Sequence, residues 1–250
     1  MAEQIKKNFN EWFYDAEKGY YHDGKLAEYY MSDSEGPTNK FGQTPQLVAL
    51  AFGLTTDENR EKVLSTLVNN STQLKVGLIG TRHIFEVFSE NGYINKLYDI
   101  INTDEYPGYG YWIENGATSL WEYWEKDNRS QNHSMFGTID NWFYRYIAGI
   151  REDKAGYITS IIKPSIPEGM TYASASTRTK YGDIKSSWNK SNEQLKLKIK
   201  IPQGTTATVY VPLIFDSANV ECDKSATYLR REAGYAIYSV NAGEYEFVVK

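Results

Sequence analysis

The sequence contains only one cysteine, Cys222, and three histidines among 250 residues. A single cysteine cannot form a disulfide within the chain, and it excludes a metal site made of several thiolates. The histidines, His22, His83 and His133, are too scattered to give the ligand spacing of a metal site. We therefore predict that the protein uses neither a metal nor another cofactor.

Long apolar runs, an apolar leader and basic stretches are also missing from the sequence. A transmembrane helix needs about 18 or more consecutive apolar residues, and the first residues lack the apolar centre of a secretory signal. The formal net charge is −5 and no basic run occurs, which argues against a nucleic-acid partner. These absences predict a protein with no membrane and no nucleic-acid partner, and with a cytoplasmic location by default.

Aromatic residues, by contrast, are abundant. They make up 15% of the chain, and four of the six tryptophans lie between residues 106 and 146. Aromatic rings cover the C–H faces of a sugar while carboxylates and imidazoles bind its hydroxyls, so this composition suits carbohydrate chemistry. Aromatic residues are also the dominant material of hydrophobic cores. Composition alone leaves both interpretations open, a sugar site and an aromatic core.

The apolar residues up to about residue 150 repeat at helical spacing. Ile5, Phe9, Trp12 and Phe13, for example, would lie on one face of an amphipathic helix. A long loop is expected over residues 20–42, and the later short helices, joined by short turns, would form antiparallel hairpins. Caps, turn residues and spacing predict helices at residues 2–15, 46–52, 56–70, 81–92, 93–101, 118–124 and 139–150.

Beyond Gly156 the apolar residues alternate with a period of two, as in strands. Seven or eight short strands between Gly, Pro and Asn residues are typical of an antiparallel β-sandwich. Because the period changes near residues 151–156, we predict a helical domain at residues 1–153 and a β-sandwich at residues 154–250. The predicted strands cover residues 157–163, 171–179, 183–189, 196–201, 206–211, 235–240 and 245–249.

The stretch Glu114-Asn-Gly-Ala-Thr-Ser-Leu-Trp-Glu122 resembles a block of the inverting α-L-rhamnosidases, glycoside hydrolase family 78. In that family a similar block closes the catalytic (α/α)6 barrel. The resemblance covers nearly the whole chain and implies the C-terminal part of such a barrel followed by a β-sandwich. Its other motifs lie at residues 43–54, 132–137, 142–150, 182–188 and 202–211.

The resemblance also implies roles for individual residues. The glutamate of the family's Trp-Glu pair is taken as the general base that activates the hydrolytic water, and it matches Glu122. His133 matches a histidine that binds rhamnose hydroxyls, to which a neutral imidazole offers one donor and one acceptor. Trp121 and Trp112 are candidates for a stacking platform in substrate binding. The implied substrate is a rhamnose-containing oligosaccharide or glycoside, hydrolysed with inversion.

Each of these residues also has a purely structural interpretation. Glu122 could be a surface or capping residue near a helix N-terminus, where charge rules favour an acid. Glu114 is a competing carboxylate eight residues earlier. The imidazole of His133 could have its hydrogen bonds satisfied within a packed loop, and tryptophans at this spacing suit a core better than a sugar contact.

One part of the family pattern has no counterpart in this sequence. The general acid and the acidic residues that hold rhamnose lie in an Asp-rich block in the first half of the family's barrel, upstream of every matched motif. Twelve helices with their loops need about 300 residues at ordinary lengths. Only about 150 residues precede the predicted sandwich, so half of the barrel is expected to be absent.

We therefore expect the C-terminal portion of an α-L-rhamnosidase that is inactive alone because the general-acid half is absent. Helices that a second half-barrel would cover should expose apolar faces, so an N-terminal half-barrel or a second copy of the chain is the expected protein partner. The alternative is a non-catalytic remnant module that binds a sugar or a partner. A glycosidase or lyase that uses the same helical barrel on another sugar is a third, weaker possibility.

Overall fold

A computed structural model of the protein describes residues 1–22, 41–215, 218–222 and 225–250. Contacts between Cα atoms divide the chain into two compact units, Met1–Ile139 and Asp140–Lys250. Helices make up most of the first unit and strands most of the second, so the predicted order of a helical part followed by a β part is confirmed. The division lies somewhat before the domain boundary predicted after residue 153, which stays a prediction.

The first unit is built from short helices joined by turns. Thr56 caps one of them as predicted, because its hydroxyl oxygen accepts a hydrogen bond from the backbone N–H of Asn59 at 3.2 Å. A Cβ atom on Gly80 would collide with the Thr44 hydroxyl, so this glycine lets two helices approach closely. The helices of this unit are α1 Ala2–Phe13, α2 Gln43–Ala51, α3 Asp57–Asn70, α4 Leu78–Glu90, α5 Ile94–Ile101 and α6 Tyr109–Glu114.

The core of the helical unit lies between α2, α3, α4 and α5. α4 packs on α2 and on α5, and α2 also packs on α3. Each of the four helices contributes a fully buried side chain, respectively Leu47, Leu67, Ile84 and Leu97. These residues belong to the apolar faces that the sequence spacing predicted, and the arrangement agrees with packed helical hairpins.

A short hairpin follows α1, where the sequence predicted the end of a helix and then a loop. Strand β1, Tyr14–Asp15, pairs with strand β2, Tyr20–Tyr21. The buried side-chain amide of Gln46 holds β2, because it donates to the Tyr21 carbonyl at 2.6 Å and accepts from the Tyr21 N–H at 2.7 Å. The rest of the predicted loop, residues 23–40, lies outside the described residues.

Helix α1 forms where the sequence predicted it, and Phe9 on its apolar face contacts the ring of Tyr21, but the rest of this face stays partly open among the described residues. No residue of α1 is buried, and the side chains of Ile5 and Trp12 are 56% and 70% exposed. A large aromatic ring left in solvent is unfavourable, since burial of its apolar area would stabilise the fold. Such a face is typical of a surface that another structural element covers.

The buried Tyr21 makes the stability of the helical unit sensitive to alkaline pH. Its hydroxyl donates a 2.6 Å hydrogen bond to Oδ1 of Asn10. Burial raises the pKa of Tyr21 to about 12, above the value of about 10 in an unfolded chain. The folded state therefore holds this proton more tightly than the unfolded state. The stabilisation is complete below pH 10 and is lost as the pH rises through about 12.

We expect the melting temperature to fall between pH 10 and pH 12, and to fall less steeply in Tyr21→Phe. This variant should also lose about 1 kcal/mol of stability at neutral pH, because the hydrogen bond to Asn10 is gone. Thermal unfolding followed by circular dichroism at each pH measures both effects. Tyr172→Phe, which alters a tyrosine that is 70% exposed, is the matched control. If the melting temperatures of the wild type and Tyr21→Phe fall in parallel with pH, Tyr21 is not the source of the alkaline loss of stability.

The second unit contains ten strands, among the described residues, in two five-stranded sheets. The strands are β3 Ile150–Glu152, β4 Thr159–Ile162, β5 Tyr172–Thr179, β6 Gly182–Lys190, β7 Leu195–Ile201, β8 Thr206–Pro212, β9 Val220–Cys222, β10 Thr227–Glu232, β11 Tyr235–Val240 and β12 Gly243–Val249. The strand order is β10-β11-β8-β4-β3 in the first sheet and β5-β6-β7-β12-β9 in the second. The inner faces of the two sheets meet, for example where the ring centroids of Tyr238 and Phe247 are 5.1 Å apart.

The predicted β-sandwich is confirmed, with two differences. Strands β4 and β8 pair in parallel, so the first sheet is mixed, while the other strand pairs of the two sheets are antiparallel as predicted. Alternation of side chains reports which face is buried but carries no information about strand direction. Strands β3, β9 and β10 were not predicted, because β3 and β9 are only three residues long and all six residues of β10 are exposed, so no alternation marks it.

Candidate active site

The loop at residues 117–133 carries both polar residues that the family motif singles out. The sequence predicted a helix over its first part, but the structure shows bends and irregular backbone there. The Leu120 carbonyl accepts a hydrogen bond from the N–H of His133 at 2.8 Å, and the N–H of Glu122 donates to the Ser130 carbonyl at 2.9 Å. These bonds pair the two arms of the loop, so Glu122 and His133 lie on neighbouring backbone segments.

Glu122 is an oriented and partly buried carboxylate, with a side chain that is 22% exposed. Its Oε2 accepts a 3.3 Å hydrogen bond from the backbone N–H of Ser130, and its Oε1 lies 3.8 Å from Nη1 of Arg129. The Arg129 guanidinium also lies over the ring of Tyr123, 5.2 Å from its centroid. An ionised carboxylate has about four acceptor positions. Glu122 therefore keeps acceptor capacity for a water molecule while its orientation is fixed.

Arg129, which lies beside this carboxylate, is one of two residues with left-handed backbone at the tip of the loop. Asp127 and Arg129 both have φ of 60°, in the left-handed region. Each such non-glycine residue costs about 1 kcal/mol or more, and it persists only where the surroundings fix it. Here Nε2 of Gln131 donates to Oδ1 of Asp127 at 3.2 Å. Sequence reasoning missed Arg129, because no residue pattern marks this backbone conformation.

His133 is exposed and its tautomer is set by a local contact. Its Nδ1 accepts a 3.1 Å hydrogen bond from the backbone N–H of Met135, which caps the short 3-10 helix Ser134–Phe136. In a neutral imidazole whose Nδ1 is an acceptor, Nε2 carries the proton. The exposed ring therefore offers an N–H donor that can bind a sugar hydroxyl.

The two tryptophans predicted to stack on substrate lie in the core of the helical unit. Trp112 and Trp121 are 2% and 3% exposed. The indole N–H of Trp112 donates to the Trp124 carbonyl at 3.0 Å, and its ring centroid is 5.7 Å from that of Trp121. Neither ring presents a face for stacking in the part of the chain that the structure describes. Their role in substrate binding stays a prediction.

The same aromatic cluster anchors the loop that carries Glu122. The ring centroid of Trp124 lies 4.7 Å from that of Trp112 and 4.2 Å from that of Phe136, at the two ends of the paired arms. Its indole N–H donates to the Val76 carbonyl at 2.8 Å. The hydroxyl of Tyr109 donates to the Phe136 carbonyl at 2.7 Å. The aromatic residues thus form a packed support for the loop and fix the position of its polar residues.

The competing carboxylate, Glu114, is exposed at the end of α6 and lies outside the paired arms of the loop.

Within residues 1–22, 41–215, 218–222 and 225–250, no group of three or more His, Cys, Asp or Glu side chains could hold a metal ion. A search of the same residues finds no helix with the length and apolar character that crossing a membrane requires.

Family comparisons cover both units of the chain. Residues 1–147 match the model of the bacterial α-L-rhamnosidase 6 hairpin glycosidase domain, and residues 149–225 match that of the bacterial α-L-rhamnosidase C-terminal domain. An α-L-rhamnosidase of Formosa agariphila is 33% identical over 228 residues, which is 83% of this chain and 25% of that protein. The chain thus spans about a quarter of the length of this relative.

Solved structures give the same result. The α-L-rhamnosidase from Dictyoglumus thermophilum has a TM-score of 0.86 and 32% identity, over 100% of this chain and 28% of that one. The Streptomyces avermitilis α-L-rhamnosidase complexed with L-rhamnose has a TM-score of 0.83 and 26% identity, over 99% of this chain and 24% of that one. In sequence motifs, in fold and in both of its matched domains, the chain belongs to the bacterial α-L-rhamnosidase family.

Proposed function

We propose that this chain is the C-terminal portion of an α-L-rhamnosidase, in which Glu122 is the general base of an inverting hydrolysis of terminal α-L-rhamnosides. The observation that carries the proposal is the loop geometry. A partly buried carboxylate, held by the Ser130 N–H and by Arg129, shares a paired loop with the exposed imidazole of His133. Base and hydroxyl donor therefore belong to one rigidly anchored element.

This arrangement suits the base side of an inverting mechanism. The base removes a proton from the water that attacks the anomeric carbon, while a carboxylic acid on the other face protonates the leaving oxygen. In such enzymes the two carboxyl groups lie about 6.5 to 9.5 Å apart, which leaves room for that water. Glu122 keeps the acceptor capacity that the water requires. The Nε2–H of His133 can donate a hydrogen bond to a rhamnose hydroxyl and so hold the sugar ring in position for attack by this water.

The general acid is proposed to come from an N-terminal half of the barrel, in the same polypeptide or in another. The matched part of this chain covers only 25% of the Formosa agariphila relative. The exposed part of the apolar face of α1, Ile5 and Trp12, is a surface that such a half could cover. Without that half, the loop has a base but no partner acid, so the isolated chain is proposed to be inactive.

We expect the isolated chain to show no turnover of 4-nitrophenyl α-L-rhamnoside, and activity to appear when it is co-expressed with the upstream segment of the Formosa agariphila relative. The upstream segment alone is the matched control, because it lacks the base. Proton NMR of the first product should show the β anomer of L-rhamnose, as inversion requires. If the isolated chain turns over the substrate and Glu122→Gln loses that activity, the proposal that the general acid is missing from this chain is refuted. An initial α anomer would refute inversion.

A non-catalytic module that binds a sugar or a partner is the second candidate. It is favoured by the exposed Nε2–H of His133, which can bind a hydroxyl without any acid being present. Calorimetry of the isolated chain with L-rhamnose separates the two candidates. Binding by the chain, together with no activity in any complemented form, would support the module.

A further inference from the structure

The outer face of the second sheet carries two adjoining open grooves that the proposed reaction does not use. Their volumes are about 420 and 480 Å³, and both are lined by Ser187 and Lys198. Sites for small ligands have volumes of about 300 to 1,000 Å³. We call the outward surface of β5, β6, β7 and β12 around these grooves the lysine face.

Strand register arranges the side chains of the lysine face in rows. Tyr172 lies opposite Asn189 on the next strand, and Asn189 lies opposite Lys196 on the one after. Neighbouring strands are about 4.8 Å apart, and residues two positions apart on a strand are separated by about 6.8 Å, so three rows span about 10 by 14 Å. This platform is wide enough for more than one sugar ring. The two further rows are Ser174, Ser187 and Lys198, and Ser176, Lys185 and Lys200.

The charge of the lysine face is opposite in sign to that of the whole chain. Four lysines and two glutamates line the grooves, which leaves a local charge of +2 in a chain with a net charge of −5. The glutamates pair with Lys198 at 3.0 Å and with Lys200 at 3.3 Å. Lys185 and Lys196 have no acidic partner among the described residues. Their unneutralised ammonium groups attract an anion from solution.

The other groups of the lysine face suit a sugar. Tyr172, at one end of the first row, is 70% exposed, so its ring is available to stack on the C–H face of a pyranose. Ser174 and Ser187 place hydroxyl groups in the middle row, between the row of Tyr172 and the row of Lys185. An aromatic ring, hydroxyls and separated cations complement a ligand that has apolar ring faces, many hydroxyls and a few negative charges.

We propose that the lysine face binds an anionic oligosaccharide, with one sugar ring on Tyr172 and acidic groups on Lys196 and Lys185. Nucleic acid is disfavoured, because its dense phosphate charge calls for a basic stretch and this chain has none. The binding needs neither Glu122 nor a complete barrel. It therefore goes beyond the proposed hydrolysis and stands or falls independently of it.

Calorimetric titration of the whole chain with a short oligogalacturonide, its neutral methyl ester and a sulfated oligosaccharide tests the proposal. We expect the oligogalacturonide to bind at least about 10-fold more tightly than the ester, since hydrogen bonds to charged groups are stronger than neutral ones. Its affinity should fall when the salt is raised from about 50 to about 500 mM. Binding of the sulfated sugar alone would keep the anionic site and change its acidic group from carboxylate to sulfate. Equal affinity for acid and ester would overturn the proposal.

Variants locate the binding on this face. Lys196→Gln and Tyr172→Ala should each weaken binding about 5-fold or more. Lys154→Gln removes the same charge from an exposed site outside the second sheet, and it should change the affinity less than about 2-fold. All three positions are on the surface, and unchanged melting temperatures show that the variants fold. Unaffected binding in both groove variants, or tighter binding of a single-stranded DNA oligonucleotide than of the oligogalacturonide, would refute the proposal.

Discussion

Glu122→Gln should lower kcat on an aryl α-L-rhamnoside by about 10² to 10⁴-fold, measured in the chain co-expressed with the upstream segment of the Formosa agariphila relative. Glutamine cannot accept the proton of the attacking water, and a positioned general base contributes a factor of this size. The amide oxygen can still accept the Ser130 N–H that holds Glu122 at 3.3 Å, so the loop should keep its conformation. KM should change little, because the loss affects the transition state more than substrate binding.

Azide rescue separates a general base from a residue that only shapes the site. Azide needs no deprotonation, so it can replace the activated water once Glu122→Ala has opened space beside the anomeric carbon. We expect added azide to raise the rate of this variant and to yield a rhamnosyl azide of inverted configuration, identified by NMR. A structural role for Glu122 predicts that azide has no effect on the rate.

Glu114→Gln is the matched control for this experiment. Both residues are glutamates of the same motif, but Glu114 is exposed at the end of α6 and lies outside the paired loop. Its variant should keep kcat within about 2-fold, since surface substitutions away from a site have small effects. Full activity in Glu122→Gln together with loss of activity in Glu114→Gln would assign the base to Glu114.

The parts of the fold that follow from local rules were predictable from the sequence. Thr56 has the residue type and spacing of an N-cap, and the hydrogen bond to Asn59 forms as expected. In β7, from Leu195 to Ile201, apolar and lysine residues alternate and the structure buries them accordingly. The parallel pairing of β4 with β8 depends on contacts distant in the sequence, which a local pattern cannot report.

The loop that carries Glu122 shows where local rules fail. The sequence at residues 115–124 reads as a helix entry, yet Gly116 has φ of 81° and the chain continues through bends without a helix. The backbone of Glu122 bonds instead to Ser130, and tryptophan side chains on both sides are buried in the aromatic cluster. These tertiary contacts override helix propensity, which contributes less than about 1 kcal/mol per residue.

The sequence names the residues of the candidate site but not their geometry. The family motif points to Glu122 and His133, because the motif is a property of the sequence itself, and their roles stay predictions. The contact between Arg129 and Glu122 depends on two positive φ angles at the loop tip, which the sequence does not mark. Both of the roles considered for Trp112, stacking platform and core residue, agreed with its spacing in the sequence. Its burial favours the core.

Trp112→Ala should therefore lower the free energy of unfolding by about 3 to 5 kcal/mol, the usual cost of deleting a buried tryptophan. Its ring contacts those of Tyr109, Trp121, Trp124 and Phe136, with centroids 4.7 to 5.7 Å away. The variant also leaves the Trp124 carbonyl without its 3.0 Å donor, which adds the cost of an unsatisfied buried acceptor. Urea unfolding followed by circular dichroism measures the change.

Trp12→Ala is the matched control, because it deletes the same side chain from a position that is 70% exposed. We expect it to change the free energy of unfolding by less than about 0.5 kcal/mol. If Trp112 instead stacks on rhamnose, its variant would unfold like the wild type and raise KM in the complemented enzyme. Because Trp112 packs against the residues that anchor the loop with Glu122, we expect the opposite result. Trp112→Ala should lose much of its stability, and its kcat should fall as that loop loses its support.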